Sequence, residues 1–275
     1  MAGRRLFPRA QLIHAGVGGA GLQHSPPALR DEVIAALREA DMVGVRDRQT
    51  LTHLHAAGIP AHLMPDPAVL TAERFGATIR AHASRGEVAA IGQRFPRGYL
   101  AVQFSADFGD DATLDTLAAQ LSEAAAASDC GIVLFRAGSA PWHDTLDCLE
   151  RLASRLPAAT AQVFRSLQLW DICALIAGSR GYCGSSLHGR IVATAFARPH
   201  LNVLPPQRSE PDKVQAYIDS WEAPALPATA PVDMLAARLG EALAADTANL
   251  RRAADSLADR YQRSFTAHLP RERHR

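Results

Sequence analysis

The sequence predicts an α/β protein whose larger part is a doubly wound parallel sheet. Two observations carry that expectation. Between Tyr99 and Leu204, five short apolar runs alternate with amphipathic segments, and parallel strands require such helical crossovers. The stretch Gly178–Pro199, GSRGYCGSSLHGRIVATAFARP, reads as strand, tight turn and helix, the unit from which such sheets are made. The 275 residues, 48% hydrophobic and 21% charged, suffice for one large domain or two modest ones.

Gln11 to Ala15 is a short apolar run closed by GVGGAG, a strand and glycine loop. Its glycines resemble a dinucleotide fingerprint only loosely, because Pro26 and Pro27 stand where a helix should begin. Pro27 instead starts a helix carrying Leu29, Val33, Ala36, Leu37 and Ala40. Met42 to Val45 is the next strand, with Arg46 and Asp47 at its carboxyl end and Asp47 placed to cap a helix through Leu51 and Leu54. Ala61 to Met64 is a third strand, and Pro65–Asp66–Pro67 forms a rigid turn that aims Asp66 outward. Arg46 and Asp66 therefore sit where open α/β sheets place ligands, or else form an ordinary surface pair. Thr71 to Arg97 reads as a connection, with a helix near Glu73 to His82.

The strands of the regular part are Tyr99–Phe104, Gly131–Phe135, Ala161–Phe164, Gly181–Cys183 and His200–Leu204. Helices run between them through Leu114–Leu121, Leu146–Leu156 and Leu169–Ile176. At the turn after Cys183, backbone N–H groups, Ser185, Ser186 and His188 meet a helix N-terminus, a natural anion site. Ser185 or Ser186 as a plain cap, and His188 as a structural histidine, are the alternatives. Beyond Leu204 the reading is a polar loop at Pro205–Ser209, a short helix at Lys213–Trp221 and an extended crossing at Pro224, Pro227 and Pro231. Two helices, through Val232–Leu239 and Leu250–Phe265, and a frayed tail follow.

Composition excludes several classes. A formal net charge of +1, 6% aromatics and no basic–aromatic run argue against nucleic-acid binding. The eleven histidines show no HxxxH spacing, so no metal is expected. Cys130, Cys148, Cys173 and Cys183 lack CxxC spacing and fit a reduced, cytoplasmic setting. No run is long enough for a membrane span, and the first residues lack the apolar region of a signal peptide. Peripheral attachment at the inner membrane face stays open.

Three stretches together resemble the polysaccharide pyruvyltransferase family: VGVRDRQT at Val43–Thr50, LMPDPAVL at Leu63–Leu70, and IAGSRGYCGSSLHGRIVATAFARPHLNV at Ile176–Val203. Lys213 falls where the family often has a lysine after its last sheet strand. The resemblance implies two Rossmann-like lobes as in GT-B folds, the carboxyl-terminal one a doubly wound parallel sheet. It implies transfer of the pyruvyl group of phosphoenolpyruvate, the donor substrate, with no cofactor, to a hydroxyl of a sugar or lipid-linked glycan acceptor. Such reactions decorate exopolysaccharides and cell-wall glycans by forming a ketal. By resemblance, Arg46 holds the donor carboxylate. Ser185, Ser186, Gly189 and Lys213 hold its phosphate, and His188, with Asp66 as the lesser candidate, moves protons. His188 is expected near Arg46 across a cleft.

Two departures matter. Many members carry Arg where this chain has Ser186, leaving one donor charge to be supplied elsewhere; Arg180 and Arg190 are the nearest substitutes. Members also usually begin with a glycine-rich strand–loop roughly a hundred residues before the RD motif, which implies a reduced amino-terminal lobe here. The expected division is therefore 1–96 for a partial lobe and linker, 97–222 for the carboxyl-terminal lobe, and 223–275 for terminal helices. Three short strands with few partners should leave an exposed apolar patch and favour a homo-oligomer. A nucleotide-sugar glycosyltransferase of GT-B type and a non-catalytic remnant that binds sugar or a partner are the competing functions.

Overall fold

The computed structural model describes residues 10–140, 143–206, 213–222 and 228–270. In chain order its elements begin with β1 (Ile13–Val17), α1 (Pro27–Arg38), β2 (Met42–Val45), α2 (Arg48–Ala56), β3 (His62–Leu63), α3 (Thr71–Ala83) and α4 (Gly86–Arg94). There follow β4 (Tyr99–Gln103), α5 (Asp111–Ser128), β5 (Gly131–Leu134), α6 (Leu146–Ala153), β6 (Ala161–Val163), α7 (Leu169–Gly178), β7 (Gly181–Gly184) and α8 (Leu187–Ala195). Last come β8 (His200–Val203), α9 (Lys213–Trp221), β9 (Thr229–Ala230), α10 (Leu235–Leu243) and α11 (Thr247–His268). No helix among the described residues is long and apolar enough to cross a membrane.

Two compact units emerge, one of Met1–Val69, Ser209–Glu222 and Asp255–Arg275, the other of Leu70–Arg208 and Ala223–Ala254. These bounds differ from the expected 1–96, 97–222 and 223–275. Thr71–Arg94 is not a linker: α3 and α4 bring Ile79, Val88 and Ile91 into the core of the second unit. Their apolar residues look scattered in sequence because each helix is short and offers only one or two side chains to that core. Helix α9 belongs with the first unit, to which Trp221 and Ser220 bind it through the backbone of Arg46 and Arg48.

The first unit holds a parallel sheet of order β1-β2-β3. Leu37 of α1 and Leu54 of α2 pack with Val43, Val45, Ile59 and Ala61 into one core. The expected exposed apolar patch on these strands does not exist: every residue of β2 is buried, and none of the large exposed hydrophobics lies on β1, β2 or β3. The end of α11 also adjoins β3, where Ser264 donates to the Leu63 carbonyl at 3.4 Å and His268 stacks on His62. A helix distant in sequence thus lies against the third strand.

The second unit holds a six-stranded, all-parallel sheet of order β6-β5-β4-β7-β8-β9. Alternate residues of β4 serve opposite faces, as the pleat requires. Leu100 and Val102 join the core made with α5, α6 and α10. Tyr99 and Ala101 join the one made with α3, α4, α7 and α8. This is the doubly wound sheet that the alternation predicted, with all five expected strands present. The sixth, β9, was read as an extended crossing; Thr229 and Ala230 pair with Asn202 and Val203. Pro224 and Pro227, most of the 205–209 loop and the tail after Pro270 lie outside the described residues.

Candidate functional site

Parallel strands bring their carboxyl ends to one edge. In the first unit that edge carries the glycines after β1, Arg46 after β2 and Asp66 after β3. Arg46 Nη1 donates to Asp66 Oδ2 at 2.8 Å. Asp66 is not aimed outward as expected: it is 4% exposed, and its Oδ1 accepts from the Ala68 N–H at 3.0 Å. Pairing with a cation and a turn N–H outweighs hydration for a carboxylate at this bend. The glycine run makes room for the pair. A Cβ on Gly18 would lie 2.6 Å from Arg46 Nε. Gly16 has φ +66, and a Cβ there would lie 2.7 Å from the Pro65 carbonyl oxygen. The three motifs GVGGAG, RD and PDP are therefore one structure.

Asp47 caps α2 as expected, accepting from Thr50 N at 2.6 Å and Thr50 Oγ1 at 2.9 Å. Thr50 Oγ1 in turn accepts from the Gly19 N–H at 2.9 Å, fixing the glycine loop to the cap. Helix α9 holds the same turn from its other end: Trp221 Nε1 donates to the Arg46 carbonyl at 2.7 Å and Ser220 Oγ accepts from Arg48 N–H at 2.9 Å. Lys213 is exposed at the start of α9, in the same unit as Arg46.

In the second unit, β5 lies on one side of β4 and β7 on the other. Strand order thus reverses between β4 and β7, and open α/β sheets form their ligand crevice outside the carboxyl ends at such a point. Ser185, Ser186, His188 and Gly189 all stand there, following β7. His188 is exposed on the first turn of α8. The expectation of free backbone donors in this turn is corrected at Ser185, Ser186 and Gly189. Ser185 N–H donates to the Gln103 carbonyl at 3.1 Å, and Ser186 N–H to Gln103 Oε1 at 2.9 Å. Gly189 N–H donates to Ser186 Oγ at 3.2 Å, so Ser186 is the helix cap.

The geometry of these bonds is set by groups that sequence reasoning missed. Gln103 is 1% exposed, and its carboxamide lies under the turn. Tyr182, also buried, donates through its hydroxyl to the Ser186 carbonyl at 3.1 Å. Ser105 N–H donates to Ser185 Oγ at 3.3 Å and Ser105 Oγ to Asp107 Oδ2 at 3.0 Å, linking the β4 and β7 loops. The only sequence signal was Gln103 itself, a polar residue ending the otherwise apolar run YLAVQ.

Neither suggested substitute for the missing arginine reaches this edge as an available charge. Arg190 is 1% exposed and donates to Asn202 Oδ1 at 3.1 Å and the Ala228 carbonyl at 2.9 Å. Arg180 precedes β7, at the opposite edge of the sheet, and donates to the Ser128 carbonyl at 3.1 Å. A cavity of about 540 Å³ lies at that opposite edge too, bounded by Phe95, Cys130 and Thr160.

Residues 15–205 match the model of the family described as polysaccharide pyruvyl transferase. No curated protein matches the sequence significantly. Among solved structures, a UDP-forming α,α-trehalose-phosphate synthase from Burkholderia xenovorans superposes with TM-score 0.57 at 13% identity, covering 97% of this chain and 69% of that one. A UDP-N-acetylglucosamine 2-epimerase from Rickettsia bellii gives 0.56 at 13% identity, covering 93% and 66%. Anabaena HepE in complex with UDP and glucose gives 0.50 at 13% identity, covering 94% and 72%. At such identities the likeness concerns the fold, which is GT-B-like.

Proposed function

The chain belongs to the polysaccharide pyruvyl transferase family, and from that premise we propose that it transfers the pyruvyl group of phosphoenolpyruvate to a sugar hydroxyl, closing a ketal on an exopolysaccharide or cell-wall glycan. The observation that carries this reading is the span of the family match, which contains both the Arg46 and the His188 segments. Arg46 pairs with the donor carboxylate, a role its fork geometry suits. His188 gives a proton to the methylene carbon as the acceptor hydroxyl attacks the adjacent carbon. The first hydroxyl passes its proton to the imidazole so freed, the carbon–phosphate oxygen bond breaks and phosphate leaves, and a second hydroxyl closes the ketal, its proton going to the departing phosphate. With the N–H groups of Ser185, Ser186 and Gly189 engaged, the Ser185 hydroxyl is this turn's side-chain candidate for the phosphate.

A nucleotide-sugar transferase is the second reading, favoured by the reversal of strand order at β4 and β7 and by the UDP named for the trehalose-phosphate synthase and HepE structures. The test uses the purified chain with phosphoenolpyruvate and a panel of sugar acceptors. Phosphate release together with pyruvylated acceptor supports the first reading. A thermal midpoint raised by UDP and not by phosphoenolpyruvate defeats it.

A further inference from the structure

We infer that Arg136 supplies the anion-binding charge of the second unit's crevice, for a ligand of the phosphate or phosphate-ester class. Its identity as phosphoenolpyruvate rests on the pyruvyl-transfer reading.

Placement comes from register. Val102 of β4 pairs with Leu134 of β5 on one side and Cys183 of β7 on the other. Two residues further on, Arg136, Phe104 and Ser185 therefore stand at the same height, just past the carboxyl ends. Adjacent strands are about 4.8 Å apart, so Arg136 and Ser185 flank Phe104 at about 10 Å from each other. A phosphate above β4 would lie within reach of both.

The state of the side chain points to a ligand. Arg136 Nε is shielded from solvent and has no hydrogen-bond partner. Among the described residues the guanidinium makes no ion pair or hydrogen bond at all. The carboxylates nearby in sequence are committed elsewhere. Asp144 accepts from Ala140 N–H at 3.1 Å and pairs with His143 Nδ1 at 3.1 Å, while Asp107 accepts from Ser105. Arg136 is half-buried, and its one shielded N–H costs stability unless an acceptor completes it. Arg198 also has an unpartnered Nε, but it precedes β8, at the amino edge. Among the described arginines of the second unit with an unpartnered Nε, Arg136 is the one at the carboxyl edge, and so replaces the charge that Ser186 does not carry.

The test measures thermal midpoints of the full chain with inorganic phosphate and with phosphoenolpyruvate at fixed ionic strength. Variants are Arg136→Met, Arg136→Lys, and Arg136→Met combined with Ser186→Arg. In the parent, both ligands should raise the midpoint. Arg136→Met should fold at least as well without ligand and bind phosphate about ten- to hundredfold more weakly. Arg136→Lys should keep part of the effect, and Ser186→Arg should restore it in the Met background. Equal ligand shifts in the parent and Arg136→Met overturn the inference, even if pyruvyl transfer is confirmed. No shift with either ligand in the parent overturns it as well. An Arg136-dependent phosphate shift without any response to phosphoenolpyruvate upholds the anion site and removes the pyruvyl donor.

Discussion

Replacing Gly18 by Ala separates two explanations of the glycine loop by the sign of a stability change. Were Gly18 only a flexible loop residue, Ala would stabilise the protein by about 0.4–1 kcal/mol, because the unfolded chain loses freedom. The structure puts Arg46 in the way. The new Cβ would lie 2.6 Å from Nε, 2.7 Å from Nη2 and 2.9 Å from Cζ, so the guanidinium must move. Its 2.8 Å contact with Asp66 is then lost or bent. Breaking a fully buried pair costs about 3–5 kcal/mol. Here the Arg46 side chain is 16% exposed and can rehydrate, and Asp66 keeps its Ala68 N–H, so a loss of about 1–3 kcal/mol is the better figure. Less the entropic gain, taken at the middle of both ranges, the net is destabilisation of about 1.3 kcal/mol, or a midpoint lower by roughly 3–5 °C. Thermal unfolding of parent, Gly18→Ala, Asp66→Asn and the double variant measures it, and the double variant should show the two effects to be non-additive. A Gly18→Ala protein as stable as the parent, or more so, would refute the packing argument.

Removing the imidazole by His188→Ala or His188→Gln should lower pyruvyl transfer by about a hundred- to ten-thousandfold with little change in midpoint; full activity in a folded variant would take histidine out of the mechanism. Gln103→Met keeps the volume but strips the acceptor from the Ser186 N–H, so it should destabilise by about 1–3 kcal/mol and lower turnover, whereas Gln103→Glu retains an acceptor and should unfold closer to the parent. Asp47→Ala should cost about 0.5–2 kcal/mol through the lost α2 cap, read from the midpoint. Burial pushes the Cys183 thiol from 9.0 up to about 12. A raised pKa keeps the folded state protonated longer, so this contribution is full below pH 9 and is lost as pH rises towards 12. Stability should fall across that window, and Cys183→Ala should flatten the fall; folded protein at pH 8 should resist alkylation at Cys183.

Much of the fold is local enough to be legible in one sequence. Short apolar runs between amphipathic segments marked five of the six strands of the larger sheet, and all three of the smaller one, because strand and helix periodicities are written in neighbouring residues. The caps at Asp47 and Ser186 were legible for the same reason: each acts on an N–H three residues away. Segments whose meaning depends on distant partners were misread. Thr71–Arg94 looked like a linker until Ile79, Val88 and Ile91 met the sheet. Thr229–Ala230 became a strand only through its pairing with β8. The first three strands lose their expected exposed patch because α1 and α2 pack on them and the distant α11 lies against β3.

The candidate site divides the same way. By itself, the sequence determined which residue types stand at the carboxyl ends of the strands: Arg46, Asp66, Ser185, Ser186 and His188. Tertiary structure decided their condition. It turned Asp66 onto Arg46, engaged the N–H groups of Ser185, Ser186 and Gly189 with Gln103 and Ser186, buried Arg190 as a tie between β8 and the segment before β9, and left Arg136 without a partner among the described residues. The physical reason is that a side chain's chemistry is set by what removes water from it and what replaces that water. Both come from residues tens of positions away, which periodicity and spacing do not record.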